Sequence, residues 1–339
     1  MKHNSLFTKL VALMLSIMAV FGCLSFSAFA ANDWEGDIDI VAPVGPIVDE
    51  TLKFSQKGIA FKDYVGLQFI LSKTVANKYD KVYVDVIHSV WENGAIVETP
   101  VEIIPAEFSS AYRFEQEILA WSMNEQVSVT LYGEKDGVVY QGESFVTSVA
   151  ALALEKIVAY DKANNAKAVT ALVDMLNYGA AVQTGYNHNA ESLPNANLGD
   201  YASKATAEDP AFEAVNSQSG EGTIAIYRDS VSMQSKVEMQ VIFNVDVSAY
   251  ELRYTVNGVT TTIPSSEFTV TKFTKVAIGI PASNMRAEYE IALYDPATGE
   301  AVTPVLTRTV EAYAKNALEG NYRAVVIAML KYGDAIAAL

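Results

Sequence analysis

The sequence predicts an α+β protein built of two tandem modules, each a small antiparallel β-sandwich followed by a helical hairpin. Three observations carry this expectation. A Tyr-Gly helix motif occurs twice, four further blocks recur around it in the same order, and in each half the apolar period changes once from two to that of a helix.

Met175-Leu176-Asn177-Tyr178-Gly179-Ala180-Ala181 returns as Met329-Leu330-Lys331-Tyr332-Gly333-Asp334-Ala335. Ser148-Val149 with Leu152-Ala153 returns as Thr309-Val310 with Tyr313-Ala314. Leu131-Tyr132 returns as Leu293-Tyr294, and Glu107-Phe108 as Glu267-Phe268. Ile59, Phe61, Val65, Leu67 and Phe69 match Val231, Met233, Val237, Met239 and Val241. The separation drifts from 172 residues in this last set to 154 at the Tyr-Gly motif, the mark of one fold with loops of different length.

From the N-terminus, Lys2 and Lys9 flank the start of an apolar run at 10–23, and Ala28-Phe29-Ala30 supplies a small-x-small cleavage site. Residues 1–30 therefore read as a signal peptide, and the mature chain as extracellular with no membrane-spanning segment. Cys23 offers a rival reading as a lipid-attachment site, although Phe21 is bulky where such signals take a small residue. Residues 31–50 form an acidic lead-in, 51–193 the first module, 194–222 an Asn-, Ala-, Ser- and Pro-bearing linker, and 223–339 the second module.

In the first module, residues 81–91 alternate, with Val82, Val84, Val86 and Val90 on one face and Tyr83, Asp85, Ile87 and Trp91 on the other. Asn93-Gly94 turns the chain into a returning strand at 96–104, and Lys135-Asp136-Gly137 joins strands at 126–132 and 138–146. The second module shows a shorter hairpin, 251–256 and 259–263, about Asn257-Gly258. Ser148 and either Asn164 or Asn165 are expected to cap the first pair of helices, Thr309 and Asn321 the second pair. Gly179 and Gly333 interrupt helical patterns, which implies a close neighbour at both positions. Packing is the simpler role for the Tyr-Gly pair, ligand contact by Tyr178 and Tyr332 the other.

A formal net charge of −16 disfavours nucleic acid and anionic lipid as partners. The single cysteine lies in the signal peptide, so thiol chemistry and cysteine metal sites are not expected in the mature chain. His88 sits on the apolar face of its strand and His188 in an Asn-rich loop, expected to be solvated. Neither has a second histidine at helical spacing, and no nucleophile elbow, phosphate loop or dinucleotide motif occurs. No cofactor and no metal are expected. The forty acidic residues leave a glycoside-acting enzyme as a formal alternative, but the expectation is a non-enzymatic protein.

The three tryptophans are Trp34, Trp91 and Trp121. Trp91 shares a strand face with Tyr83, so these two, with Trp121 and the acceptor Asp85, form the candidate ligand-binding set: aromatic rings stack on sugar C–H faces and carboxylates accept from hydroxyls. The competing reading places the tryptophans in the interior.

These residues resemble a module that occurs, singly or in tandem, in secreted proteins of anaerobic gut Firmicutes. Its marks are a first strand like Gly58-Ile59-Ala60-Phe61-Lys62-Asp63, an Ala-rich helix, and a helix like Met175-Leu176-Asn177-Tyr178-Gly179-Ala180-Ala181 with Tyr186-Asn187 after it. The likeness spans about 51–193 and, more weakly, 223–339, with departures at Asp229-Ser230-Val231-Ser232 and at Asp334. The module has no agreed catalytic residues to carry over. Its company with carbohydrate-active and surface-attached proteins implies glycan binding or adhesion; a protein-interaction or structural role at the cell envelope is the alternative.

Overall fold

The computed structural model describes residues 45–92 and 94–339. The expected signal peptide, Cys23, Trp34, most of the acidic lead-in and Asn93 of the Asn-Gly turn lie outside the described residues. In chain order the first strands are β1 (Ile47–Val48), β2 (Gln56–Phe61), β3 (Val65–Ser72), β4 (Lys81–Glu92), β5 (Ala95–Ile103), β6 (Ala106–Phe108), β7 (Ala111–Ile118), β8 (Val127–Lys135) and β9 (Val138–Thr147). A single helical turn, α1 (Lys73–Ala76), follows β3, and α2 (Val149–Lys162) and α3 (Ala166–Gly185) follow β9. The later strands are β10 (Asn216–Ser219), β11 (Arg228–Ser232), β12 (Glu238–Phe243), β13 (Glu251–Val256), β14 (Val259–Ile263), β15 (Thr269–Val270), β16 (Thr274–Gly279), β17 (Tyr289–Tyr294) and β18 (Val305–Arg308). Helices α4 (Val310–Ala317) and α5 (Arg323–Ala337) end the chain.

The fold is mixed α+β with mostly antiparallel sheets. Among the described residues four sheets form, in the orders β1-β9-β8-β4-β5, β2-β3-β7-β6, β10-β18-β17-β13-β14 and β11-β12-β16-β15. Adding nine to each strand number converts the first two orders into the last two. The correspondence breaks at one edge, where β1 runs parallel to β9 but β10 runs antiparallel to β18.

Alternation places the core. Val82, Val84 and Val86 of β4 and Val127, Val129 and Leu131 of β8 are buried on one face of the five-stranded sheet. Val65, Leu67, Phe69 and Leu71 of β3 and Phe114 and Ile118 of β7 are buried on the four-stranded sheet. Phe145 of β9 meets Phe69 of β3 at 5.6 Å between ring centroids, so the two apolar faces pack on each other. Asp136-Gly137 and Asn257-Gly258 take positive φ (51° and 74°, 51° and 76°), the geometry that closes a two-residue hairpin without splaying its strands.

Two expected caps are present. Ser148 Oγ accepts from Ala151 N–H at 3.0 Å, and Asn165 Oδ1 from Ala168 N–H at 3.2 Å. The other two are corrected. Thr309 precedes α4, but its hydroxyl accepts from Val215 N–H at 3.1 Å, tying the approach to β10 instead of the helix start. Helix α5 begins after Tyr322 without a side-chain cap, leaving Asn321 outside it.

The recurring glycines earn their place through packing. A Cβ on Gly179 would lie 2.7 Å from Met123 Sδ and 3.0 Å from the Ala120 carbonyl; one on Gly333 would lie 2.7 Å from Met285 Cγ and 3.1 Å from the Ala282 carbonyl. Each motif helix thus rests on the 3₁₀ turn of its own half, Ala120–Ser122 or Ala282–Asn284. Tyr178 and Tyr332 are both buried and stack on each other, 5.8 Å apart and 14° from parallel. That assigns the Tyr-Gly pair to packing. Residues 194–222 supply the buried side chains of Pro194 and Leu198 as well as strand β10.

Candidate functional site

The outer face of the β1-β9-β8-β4-β5 sheet carries the candidate residues of β4. Cross-strand register sets Ser144 beside Thr130, Thr130 beside Asp85, and Asp85 beside Glu102, one polar row across four strands. The Thr130 and Ser144 hydroxyls are 3.0 Å apart, and Asp85, Glu102 and Ser144 are exposed. In the next row Tyr83 pairs with Tyr132, rings stacked at 5.3 Å and 20°. Lys81 covers Tyr83 with its ammonium 4.5 Å from the ring centroid and salt-bridges Glu102 at 2.9 Å. On the other side of the polar row Ile87 pairs with Pro100.

The electrostatics follow from this crowding of acceptors. Partial desolvation and the neighbouring Glu102 carboxylate raise the Asp85 pKa above its ordinary value. Desolvation, then Asp85, raises both tyrosines above 10. The row therefore presents hydroxyls, two like-charged carboxylates, two phenols and one ammonium on a flat surface. Such a set can exchange hydrogen bonds with a polyhydroxylated ligand.

Tyr83 and Trp91 share this face but not one spot. Eight residues of extended strand separate them by roughly 27 Å. Trp91 is half-buried, pairs with Ile96, and donates its backbone N–H to Glu125 Oε1 at 2.8 Å. Trp121 lies in the 3₁₀ turn and stacks on the His188 ring at 4.9 Å and 17°. The structure thus brings Asp85 to Tyr83, links Trp91 to Glu125 through its backbone N–H and Trp121 to Glu125 through the His188 ring, and keeps the two groups apart.

Glu125 is the centre of the second group. Its side chain is 5% exposed, with His188 Nε2 3.3 Å from Oε1 and His88 Nε2 3.8 Å from Oε2. Burial lowers the His88 pKa from its usual 6.5, and the Glu125 charge opposes that shift. His188, expected in solvent, is instead largely covered. Trp121 stacks on its ring, and the Gln183 amide bonds the carbonyls of His188, Asn189 and Ser192, holding the loop down. Among the described residues no group of three or more His, Cys, Asp or Glu side chains has the geometry to hold a metal ion.

Most members of these clusters carry no mark in the sequence, Thr130, Ser144, Glu102, Tyr132 and Glu125 among them, and His188 reads there as a solvated loop residue. Tyr132 was visible only as part of the repeated Leu-Tyr block, because its pairing with Tyr83 depends on β8 lying beside β4. Glu125 carried no local signal among so many acids. For His188 the available signal was weak: it is one of only two histidines after residue 30.

No protein-family model matches the chain, and comparison with curated proteins gives no match. Among the described residues no helix is long and apolar enough to cross a membrane.

Proposed function

We propose that the protein is a secreted, non-enzymatic tandem-module protein that binds a neutral extracellular polysaccharide along the outer face of its first five-stranded sheet. In this reading 51–193 and 223–339 are two copies of one module, a β-sandwich followed by a helical hairpin, of the type seen in secreted proteins of gut Firmicutes. The corresponding sheet orders and the repeated Tyr-Gly packing support the module reading.

The observation that carries the ligand reading is the polar row Ser144, Thr130, Asp85 and Glu102, bracketed by Tyr83 and Tyr132 on one side and Ile87 on the other. Acceptors flanked by flat apolar groups suit sugar hydroxyls and C–H faces. A chain laid along β4 touches Tyr83 at one end and Trp91 at the other, so a polymer gains contacts that a short oligosaccharide does not. The acidic balance favours a neutral polymer over an anionic one.

Affinity electrophoresis of the full chain against neutral xylan, mannan and β-glucan tests this. Retardation by at least one polymer is expected, falling about tenfold for Asp85→Ala and for Tyr132→Ala. Trp91→Ala should weaken polymer binding and leave trisaccharide binding unchanged. Retardation equal in all three variants and the parent sinks the sheet-face site, and hydrolysis of any polymer sinks the non-enzymatic reading.

A protein partner at the cell envelope is the second reading, and one observation favours it. Edge strand β5 and its continuation expose Ile96, Val97, Val101, Ile104 and Phe108. Pro100 and Glu98 interrupt that edge, which guards it against simple strand addition.

A further inference from the structure

Where the halves meet, the contacts come in reciprocal pairs. Ala120, first residue of one 3₁₀ turn, donates its N–H to the Ser235 carbonyl at 3.0 Å; Ala282, first residue of the other, donates to the Lys62 carbonyl at 3.0 Å. Both acceptors lie in the short turn between corresponding strands, β11–β12 and β2–β3. Phe61 at the end of β2 meets the Tyr332 ring at 6.4 Å, and Met233, its match in the repeat, offers its carbonyl to the Tyr178 hydroxyl at 3.5 Å.

The helices obey the same rule. Gly185 at the end of α3 lies against Val325 near the start of α5, while Lys167 near the start of α3 bonds the Ala338 carbonyl beyond the end of α5 at 3.1 Å. Ala171 and Leu339 line one cleft, which is where a two-fold places the counterpart of the Gly185–Val325 contact. Tyr178 and Tyr332, matching residues, stack on each other. Matching residues that touch lie at the rotation axis relating the halves, and reciprocal contacts on either side make that axis two-fold. The junction is therefore isologous, with residue i of one half on residue j of the other and j on i. Two unrelated domains joined by a linker have no reason to meet so.

Resting on the reading of the halves as copies of one module, we propose that this junction is a self-docking face of the module, built to take a second copy of it. The segment between the halves acts as a tether. It raises the local concentration of the partner but does not create the interface. One departure from symmetry at the junction is electrostatic. Glu117 pairs with Lys236 at 2.8 Å, whereas at the corresponding strand end Gly279 leaves room for the Asp63 side chain.

The test uses the full chain with a protease site inserted at 207–209, where exposed residues join the two halves. After cutting, the two fragments are expected to co-elute as one particle of undiminished mass. When two cut samples with different tags on both their fragments are mixed, each tagged N-terminal fragment should capture the other sample's C-terminal fragment and, at higher concentration, its N-terminal fragment. Lys236→Glu should weaken the fragment pair about fivefold and Glu117→Lys added to it should restore the affinity. Fragments that part after cutting, or capture of C-terminal but never N-terminal fragments, overturn self-docking. Equal affinity in the parent and Lys236→Glu also overturns it, by placing cohesion elsewhere. Far-UV circular dichroism separates the premises: parted fragments that keep their spectra leave the two-module reading standing, and parted fragments that lose them remove both.

Discussion

The two halves bury a carboxylate beside corresponding turns and solve the resulting charge problem in opposite ways. In the first half the acid is on the loop, Glu125, and faces two imidazoles, one from β4 and one from the loop after α3. In the second half the base is on the corresponding loop. Arg286 reaches Glu311 in the first turn of α4 and grips Asp334 of α5 with two bonds of 2.8 and 2.7 Å, while its Nη1 also donates to the Ala211 carbonyl at 2.6 Å. Glu311 is 2% exposed, comparable to Glu125 at 5%. A guanidinium keeps its charge at every accessible pH, whereas an imidazole does not. One fold therefore holds one fixed ionic clasp and one titratable clasp.

The sharpest way to break this comparison is to remove each acid. Glu311→Ala leaves Arg286 paired only through the more exposed Asp334 and strips the one acid that anchors α4 to the loop. Breaking such a buried pair is expected to cost about 3 kcal/mol. Glu125→Ala also removes a buried charge that has no full-strength partner on Oε2, so its net cost is smaller, about 1–2 kcal/mol. Urea unfolding at pH 7.5 measures both. A larger loss for Glu125→Ala would mean that the imidazoles, not the arginine, form the stronger clasp.

Acid separates the halves next. His88 has a folded pKa below its unfolded value of 6.5, because burial disfavours the imidazolium more than Glu125 favours it. Its contribution is present above pH 6.5 and is lost as pH falls below that value, where the unfolded chain takes up a proton and the folded one does not. Stability should therefore fall between pH 7 and 5.5. Hydrogen exchange should show it as faster opening of β4 and β8, with β13 and β17 unchanged. His88→Leu, which fits the valine face of β4, should abolish the difference. Equal acid sensitivity in β13 and β17 would show that the loss has another origin.

What the sequence reveals of this comparison is set by range. The hairpins at Asp136-Gly137 and Asn257-Gly258, the caps at Ser148 and Asn165 and the alternation of β4 are decided by residues a few positions apart, and all are legible. The Tyr-Gly motif is legible as packing because it occurs twice. The clasps are not legible, because Glu125 meets His188 across 63 positions and Arg286 meets Asp334 across 48. Thr309 misleads for the same reason: a residue of the right type at a helix start spends its hydroxyl on Val215, 94 positions away. The candidate aromatics show a milder form of this limit. Period two puts Tyr83 and Trp91 on one face, but the strand's rise puts them at opposite ends of it, and Tyr132 joins Tyr83 only through the sheet order.

The smallest effect sharpens the comparison at the motif glycines. Alanine in place of glycine gains about 1 kcal/mol of helix propensity, against overpacking that commonly costs about 1–3 kcal/mol. In the first half the nearest obstacle to a Cβ on Gly179 is Met123 Sδ, well along a flexible side chain that can swing aside. In the second it is Met285 Cγ at 2.7 Å and Cβ at 2.8 Å, and the Cβ moves only with the backbone at the end of the 3₁₀ turn. That turn also carries the Ala282 N–H that bonds across to Lys62, so displacing it disturbs the junction of the halves. Gly179→Ala should therefore be close to neutral and Gly333→Ala destabilising by about 1 kcal/mol. Thermal unfolding of the two variants measures the difference, and a lower midpoint for Gly179→Ala than for Gly333→Ala would mean that the first half, not the second, is the more tightly packed at its turn.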